Sequence, residues 1–166
     1  MTTLSNKDNI RQLLQKGYRY AYSLTHNAAQ AEDLVQDAWL SILKNQAPHN
    51  IQYLITVVRN CFLNQLKREK IVPLVTIEDI QTEELLLASE KDFYDILANN
   101  DQLNKALNTL RPIEREIIYL YYIEEYSTEE IAKLTSISKG AVCSLIYRSR
   151  IKLKSSINTE KSEIAL

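Results

Sequence analysis

Glycine and proline are scarce in this sequence, which has two glycines and three prolines among its 166 residues. Sheets and irregular folds need glycine at many turns, so this scarcity favours helices joined by short connections. The sequence also has no apolar run of bilayer length, and Met1–Arg11 is too polar for a signal peptide. We therefore expect an all-α protein that stays in the cytoplasm, without membrane insertion.

Patterns typical of catalytic and metal sites are missing as well. Cys61 and Cys143 are far apart, and neither has metal-ligand spacing with His26 or His49. The sequence has no glycine-rich phosphate loop, no H-E-x-x-H pattern and no nucleophile elbow. We expect reduced cysteines, surface histidines and a protein that is not an enzyme, with no metal, cofactor or catalytic residue.

Charge is distributed unevenly, although the net charge is only −1. Residues 1–70 have 9 basic and 5 acidic side chains, residues 71–98 have 1 and 7, and residues 99–166 have 10 and 9. The segment Lys139–Lys154 has five basic side chains and no acidic one. The net charge of the whole chain argues against nucleic-acid binding, but its distribution leaves basic regions that could bind a polyanion.

Apolar residues recur at three- and four-residue steps in three segments before residue 70, which is the period of an amphipathic helix. The first segment runs from Ile10 to Leu24, the second is predicted as the helix Ala31–Lys44, and the third runs from Ile51 to Leu66. Asn27 can cap the second helix, and the loop after it contains Pro48. The pattern predicts a three-helix domain.

Helical signals return at residue 99 and end in a helix-turn-helix pattern. Pro112 stands where proline opens a helix, and Ser127 with Glu130 forms a capping box. After a turn at Thr135–Ile137, Ser138 caps a long final helix with a basic flank. The alternative, an ordinary helical hairpin with a solvated basic face, has the same pattern. We predict a first domain at residues 1–70, an acidic linker at 71–98, a helix-turn-helix domain at 99–157 and a tail at 158–166.

Three helix faces are candidate binding surfaces. The face of helix Ala31–Lys44 away from its apolar stripe is rich in acids and amides, which suits contact with a protein better than contact with DNA. The third helix has basic and amide side chains near Tyr53, which suits single-stranded nucleic acid. The exposed side of the final helix is expected to present Lys139, Ser144, Tyr147, Arg148 and Arg150. For helix Ala31–Lys44 and for the third helix, a merely solvated face is the default alternative.

Segments of the chain, taken in order, resemble the extracytoplasmic-function (ECF) group of bacterial RNA polymerase sigma factors. Ala31–Leu40 is similar to the A-E-D-L-V-Q-E-x-F-L stretch of region 2 in that family, and Arg59-Asn60 matches its R-N pair. Leu110–Glu116 is similar to the L-P-x-x-x-R-E entry to region 4. The helix-turn-helix of region 4 is matched at Glu130–Ala132 and at Ser138–Val142.

The resemblance implies two partners, the RNA polymerase core (its β′ clamp helices and β subunit) and promoter DNA, and it allows an anti-sigma factor. Region 2 docks on the clamp helices and reads the minus-ten element as a single strand, whereas region 4 reads the minus-thirty-five element in duplex DNA. The implied docking set is Glu32, Asp33, Gln36, Asp37 and Leu40. The implied minus-ten set is Tyr53, Arg59, Asn60, Asn64, Lys67 and Arg68. The implied minus-thirty-five set is Ser138, Lys139, Gly140, Ser144, Tyr147, Arg148 and Arg150.

The sequence departs from the family in the recognition helix, where Ala141, Cys143 and Leu145 replace the usual Thr, Lys and Arg. Cys143 and Leu145 are expected to make the predicted reading face more apolar. Two other functions therefore stay open. One is a dimeric helix-turn-helix regulator that binds DNA without the polymerase. The other is an interaction module that uses region 4 to hold a protein partner.

Overall fold

Seven α-helices, and no strand, make up residues 2–69 and 100–164, which are the residues described by this computed structural model. The helices are α1 Thr2–Thr25, α2 Ala28–Lys44, α3 Ile51–Arg68, α4 Asn100–Leu107, α5 Pro112–Tyr122, α6 Thr128–Thr135 and α7 Lys139–Ile164. The predicted linker at 71–98 lies outside the described residues. The chain divides into two compact units, Met1–Leu74 and Val75–Leu166. The prediction of an all-α fold is confirmed.

The first unit is a bundle in which α1, α2 and α3 pack against one another. Its core consists of one apolar stripe from each helix, as the three- and four-residue periodicity predicts. The buried side chains include Tyr20, Ala21, Leu24, Ala31, Leu34, Val35, Ala38, Ile42, Leu54, Ile55, Val58 and Phe62. Because each stripe occupies one side of its helix, the other sides of α2 and α3 are left for solvent or for partners.

Helix α2 begins three residues earlier than predicted, because Asn27 caps it directly. The side-chain oxygen of Asn27 accepts a hydrogen bond of 3.0 Å from the backbone N–H of Gln30. Asn50 caps α3 in the same way, with a bond of 2.8 Å from the backbone N–H of Tyr53. Each cap satisfies a backbone N–H that has no partner within its own helix and fixes the residue at which that helix starts.

The close approach of α1 to α3 depends on Gly17. A Cβ atom on this residue would lie 2.6 Å from Cδ2 of Leu54, well inside van der Waals contact. Leu54 is itself fully buried, so its side chain has little room to move aside. One of the two glycines in the chain is thus used at the point where two helices touch.

In the second unit, α7 packs against α4, α5 and α6. Pro112 is the first residue of α5, the position at which proline is tolerated, as predicted. Helix α7 continues through Ile164, so residues 158–164 of the predicted tail extend the final helix. In the residues that the structure describes, no helix is long and apolar enough to cross a membrane.

Candidate functional site

The acidic face of α2 lies open at the surface. Its apolar stripe points into the three-helix core, which turns the remaining side chains outward. All five residues of the predicted docking set, Glu32, Asp33, Gln36, Asp37 and Leu40, are exposed. Leu40 is 63% exposed and Leu43 47%. The two exposed leucines beside carboxylates give this face both apolar and charged groups, the mixture that a contact with another protein uses.

The predicted single-strand set follows α3 along its outer side. Tyr53 is 40% exposed near the start of the helix. Asn60, Asn64, Lys67 and Arg68 are exposed further along it, and Arg59 is half-buried. The structure therefore places an aromatic ring at one end of this face and two cations at the other, with amides between them.

An open cleft of about 530 Å³ joins the α2 and α3 faces. Its walls include Asp33 and Asp37 from α2 together with Cys61, Asn64 and Arg68 from α3. Burial raises the pKa of the Cys61 thiol, the Asp37 carboxylate raises it further, and the Arg68 guanidinium opposes both. Cys61 thus stays a neutral thiol in a cleft that two predicted binding sets share.

A pair of aromatic rings in the first unit was missed by sequence reasoning. The ring centroids of Trp39 and His49 lie 4.9 Å apart, at an interplanar angle of 51°. His49 is exposed, as predicted, but it is not isolated. Ten residues separate the two rings, so no helical or strand spacing in the sequence could have joined them.

The helix-turn-helix framework of α6 and α7 is confirmed. The hydroxyl of Ser127 accepts a bond of 3.2 Å from the backbone N–H of Glu130, whose carboxylate accepts one of 2.8 Å from the N–H of Ser127. At the start of α7, Ser138 accepts a bond of 3.2 Å from the N–H of Ala141. Between the helices, Ser136 has a φ of 57°, the left-handed conformation that lets a helix end abruptly.

The predicted DNA-reading face of α7 is wrong in two positions. Arg150 was expected at the surface and is 2% exposed. It follows Ile146 by four residues, which puts it on the same, core-facing side of the helix. Ser144 lies about 200° round the helix from the buried Val142, yet it is only 1% exposed. Helix α7 is therefore enclosed on more sides than a helix-turn-helix alone would enclose it.

The other members of that set are more accessible. Ser138 is exposed, and Lys139, Gly140, Tyr147 and Arg148 are half-buried. Cys143 and Leu145, which were expected to make the reading face more apolar, are instead buried, as is Ala141. Ser138, Lys139, Ser144, Arg148 and Arg150 each have a partner in the folded chain. The accessible part of the predicted reading face is thus concentrated at the N-terminal end of α7.

Two ion pairs of the second unit were also missed by sequence reasoning. Lys139 Nζ lies 2.6 Å from Oε1 of Glu129 in α6, and both side chains are partly exposed. Lys152 Nζ lies 2.6 Å from Oε1 of Glu114, whose side chain is 2% exposed. The only indication of a role for Glu114 in the sequence is its position two residues after a proline that opens a helix, where a glutamate is typical of a helix start.

The Glu114 carboxylate is the centre of a buried polar network at the start of α5. Besides Lys152, it accepts a bond of 2.8 Å from the backbone N–H of Arg111 and one of 3.2 Å from the Arg111 side chain. Burial alone would raise the pKa of this carboxyl, but the hydrogen bonds from Lys152 and Arg111 outweigh burial and lower it. The network ties α5 to α7 through a buried carboxylate whose two cationic partners, Arg111 and Lys152, are themselves partly exposed. The described residues contain no group of three metal-ligating side chains.

Comparison with known proteins agrees with this architecture in both units. Residues 10–71 match Sigma-70 region 2, and residues 100–153 match Sigma-70 region 4. The chain belongs to the sigma-70 family of RNA polymerase sigma factors. Its relatives place it in the ECF group of that family, so the resemblance read from the sequence is confirmed.

Three curated relatives illustrate the range of similarity. The ECF RNA polymerase sigma factor SigE of Mycolicibacterium smegmatis is 29% identical over 94% of this chain and 63% of its own length. The ECF sigma factor SigM of Bacillus subtilis is 27% identical over 91% of this chain and 94% of its own. The ECF sigma factor BldN of Streptomyces coelicolor is 27% identical, and the match spans 52% of its length. The chain thus spans about half to two thirds of some relatives and nearly all of others.

One solved structure has the same fold. It is the sigma factor RpoE from Bartonella quintana, determined in complex with the anti-sigma factor NepR. The TM-score is 0.65 at 23% sequence identity, and the match covers 93% of this chain and 97% of the other. At this identity the likeness establishes the fold alone.

Proposed function

We propose that this chain directs the RNA polymerase core to specific promoters and assists promoter melting at the start of transcription. The observation that best supports this role is the open acidic face of α2, on which every residue of the docking set is exposed. As a sigma factor it would work in the cytoplasm and contribute no catalytic residue. It would instead supply binding energy that positions the polymerase.

Docking of α2 on the polymerase core follows from the chemistry of its face. Asp33 and Asp37 are one helical turn apart and therefore present two carboxylates side by side. Leu40 adds an exposed apolar anchor at the end of the same face. A basic groove with an apolar floor is the complementary surface, and the family's partner for this region is the pair of clamp helices in β′. The β subunit is the second proposed contact of the holoenzyme.

Single-stranded minus-ten DNA is the proposed ligand of α3. Bases stack on exposed aromatic rings, and phosphates need cations within reach of the strand. Tyr53 supplies the ring, Lys67 and Arg68 supply the charge, and Asn60 and Asn64 supply donors and acceptors for base edges. The Trp39–His49 pair adds a second aromatic surface on the same unit. The proposed role of the segment 71–98 is to connect this unit to the second one within the holoenzyme.

Duplex minus-thirty-five DNA is the proposed ligand of the second unit, through the N-terminal end of α7. Helix N-termini attract phosphates through their unpaired backbone N–H groups. Ser138 and Lys139 stand at that end, and Tyr147 and Arg148 lie two turns further along. An anti-sigma factor is a further proposed partner, since the structurally similar RpoE was solved with one.

Reconstituted transcription tests the proposed function. The full chain is added to purified core polymerase on fragmented genomic DNA, and the 5′ ends of run-off transcripts are sequenced. We expect new start sites downstream of a shared pair of short motifs, none of them used by core alone. If the chain binds DNA but leaves the start sites of core unchanged, it acts as a regulator independent of the polymerase, and the sigma role is wrong.

A further inference from the structure

The ion pair between Glu129 and Lys139 crosses the turn of the helix-turn-helix. Glu129 is in the first turn of α6, and Lys139 is the first residue of α7. The lysine side chain is 41% exposed and the glutamate side chain 57%, so solvent and ligands reach both. At 2.6 Å the ammonium donates directly to the carboxylate. The pair therefore lies at the end of α7 where the accessible part of the proposed reading face is found.

In an ion pair of this kind, the carboxylate competes with a DNA phosphate for the lysine ammonium. A carboxylate bonded to a phosphate-binding lysine takes up one of its donors and places a negative charge where the phosphate would come. An exposed pair contributes little to folding stability, so exchanging one anion for another costs little. The hydrogen bond from Lys139 lowers the pKa of Glu129, which keeps the carboxylate charged at neutral pH.

We propose that Glu129 is a positioning residue that restrains the contact of Lys139 with duplex DNA, and that duplex binding exchanges the carboxylate for a phosphate. This inference rests on the proposed function, because it assumes that the second unit binds duplex DNA. In this role, Glu129 of α6 sets the affinity of the recognition helix α7 for duplex DNA.

Fluorescence anisotropy with the full chain tests the proposal. The probe is a fluorescein-labelled mixed-sequence duplex titrated at several KCl concentrations. We expect Glu129→Gln to tighten binding about two- to fivefold, the range that an exposed ion pair is worth. The log–log salt dependence should steepen by up to about 0.9, which corresponds to one phosphate contact. The matched control is Glu125→Gln, which removes the same charge from an exposed position in the loop before α6.

A double-mutant cycle separates this role from general electrostatics. In a Lys139→Gln background, Glu129→Gln should change affinity no more than Glu125→Gln does. An equal gain in both backgrounds, or no difference between Glu129→Gln and the control in the wild-type background, overturns the inference and leaves the proposed function standing. If the wild-type chain binds no duplex, alone or with core polymerase, duplex reading fails and the inference fails with it. Circular dichroism of each variant checks that the helices are retained.

Discussion

The two units of this chain differ in whether charged residues are buried in the core. In the first unit, the acids of α2 and the cations at the end of α3 lie at the surface. In the second unit, four charged side chains are buried, whereas no charged side chain is buried among the described residues of the first unit. They are Glu114, Arg115, Glu116 and Arg150. Charged side chains are available to partners in both units, but among the described residues only the second unit also encloses charged side chains in its core.

Register relative to the apolar stripe explains this difference. Asp33 and Asp37 fall between the apolar positions of α2, so they face outward. Arg150 falls in line with Ile146 and Leu153 of α7, so it faces inward. A buried charge is tolerated only with partners, and the unit supplies them. For example, Arg115 donates a hydrogen bond of 2.6 Å to the backbone carbonyl of Leu110.

The largest effect on stability is expected from removing a buried charge of the second unit. Arg150→Ala should lower the free energy of unfolding of that unit by about 2–4 kcal/mol, through lost packing and unpaired partners. Trp39 is the sole tryptophan and reports on the first unit alone. We expect urea unfolding followed by circular dichroism to shift, while the transition followed by Trp39 fluorescence stays in place.

Arg68→Ala is the matched control for that experiment. Arg68 is exposed at the end of α3, so its removal should change stability by less than about 0.5 kcal/mol. Equal effects of the two substitutions would show that Arg150 is not part of the core, and the contrast between the units would be lost.

The Glu114 network should make the second unit sensitive to acid. Because its folded-state pKa is lowered, the stabilisation is complete above the ordinary glutamate pKa of about 4.3 and is lost as the pH falls through the folded-state value. Glu114→Gln should cost about 1–3 kcal/mol near neutral pH and flatten the acid dependence of unfolding. Glu125→Gln, at an exposed position, is the control. An unchanged acid profile in Glu114→Gln would exclude this carboxyl as its source.

The sequence predicted the fold and the open α2 face well because both follow from local rules. Apolar periodicity and side-chain caps at Asn27, Asn50 and Ser127 determine where helices run and which side is buried. The exposed docking set is the complement of that stripe.

The burial of α7 could not be predicted in the same way. Arg150 was predicted at the surface because it is charged. Its four-residue spacing from Ile146, which is visible in the sequence, instead places it on the core-facing side of α7. The enclosure of Ser144, the Trp39–His49 contact and the Glu129–Lys139 pair arise only when distant segments fold together. No periodicity in the sequence reports on such contacts.

Cysteine reactivity offers a probe of the enclosed face of α7. Cys143 is 4% exposed, whereas Cys61 is half-buried in the cleft of the first unit. In a Cys61→Ser variant, we expect the Cys143 thiol to react with a soluble disulfide reagent at least about a hundredfold more slowly than in urea, since reaction requires local opening. Fast native reaction would show that this face is open in solution.

The smallest effect is expected at the turn before α7. Ser136 has a φ of 57°, in the left-handed region that costs a non-glycine residue energy. Ser136→Gly should stabilise the second unit by about 0.5 kcal/mol, after allowing for the added freedom of the unfolded chain. Gln46→Gly, at a φ of 51° after α2, is the matched change in the first unit and should move the Trp39 transition instead. A loss of stability in both variants would contradict the strain assigned to these turns.

The central claim is that the open face of α2 binds the polymerase core. Its most direct test is the equilibrium Kd of the full chain for purified core polymerase, comparing wild type with the double variant Asp33→Lys, Asp37→Lys. A second double variant, Asp8→Lys with Glu125→Lys, makes the same charge change at exposed positions outside the docking set and outside the cleft that Asp33 and Asp37 line. We predict at least about tenfold weaker binding for the first, a loss of about 1.4 kcal/mol or more, and nearly wild-type binding for the second. Wild-type affinity in the α2 variant, or an equal loss in both, would contradict the claim.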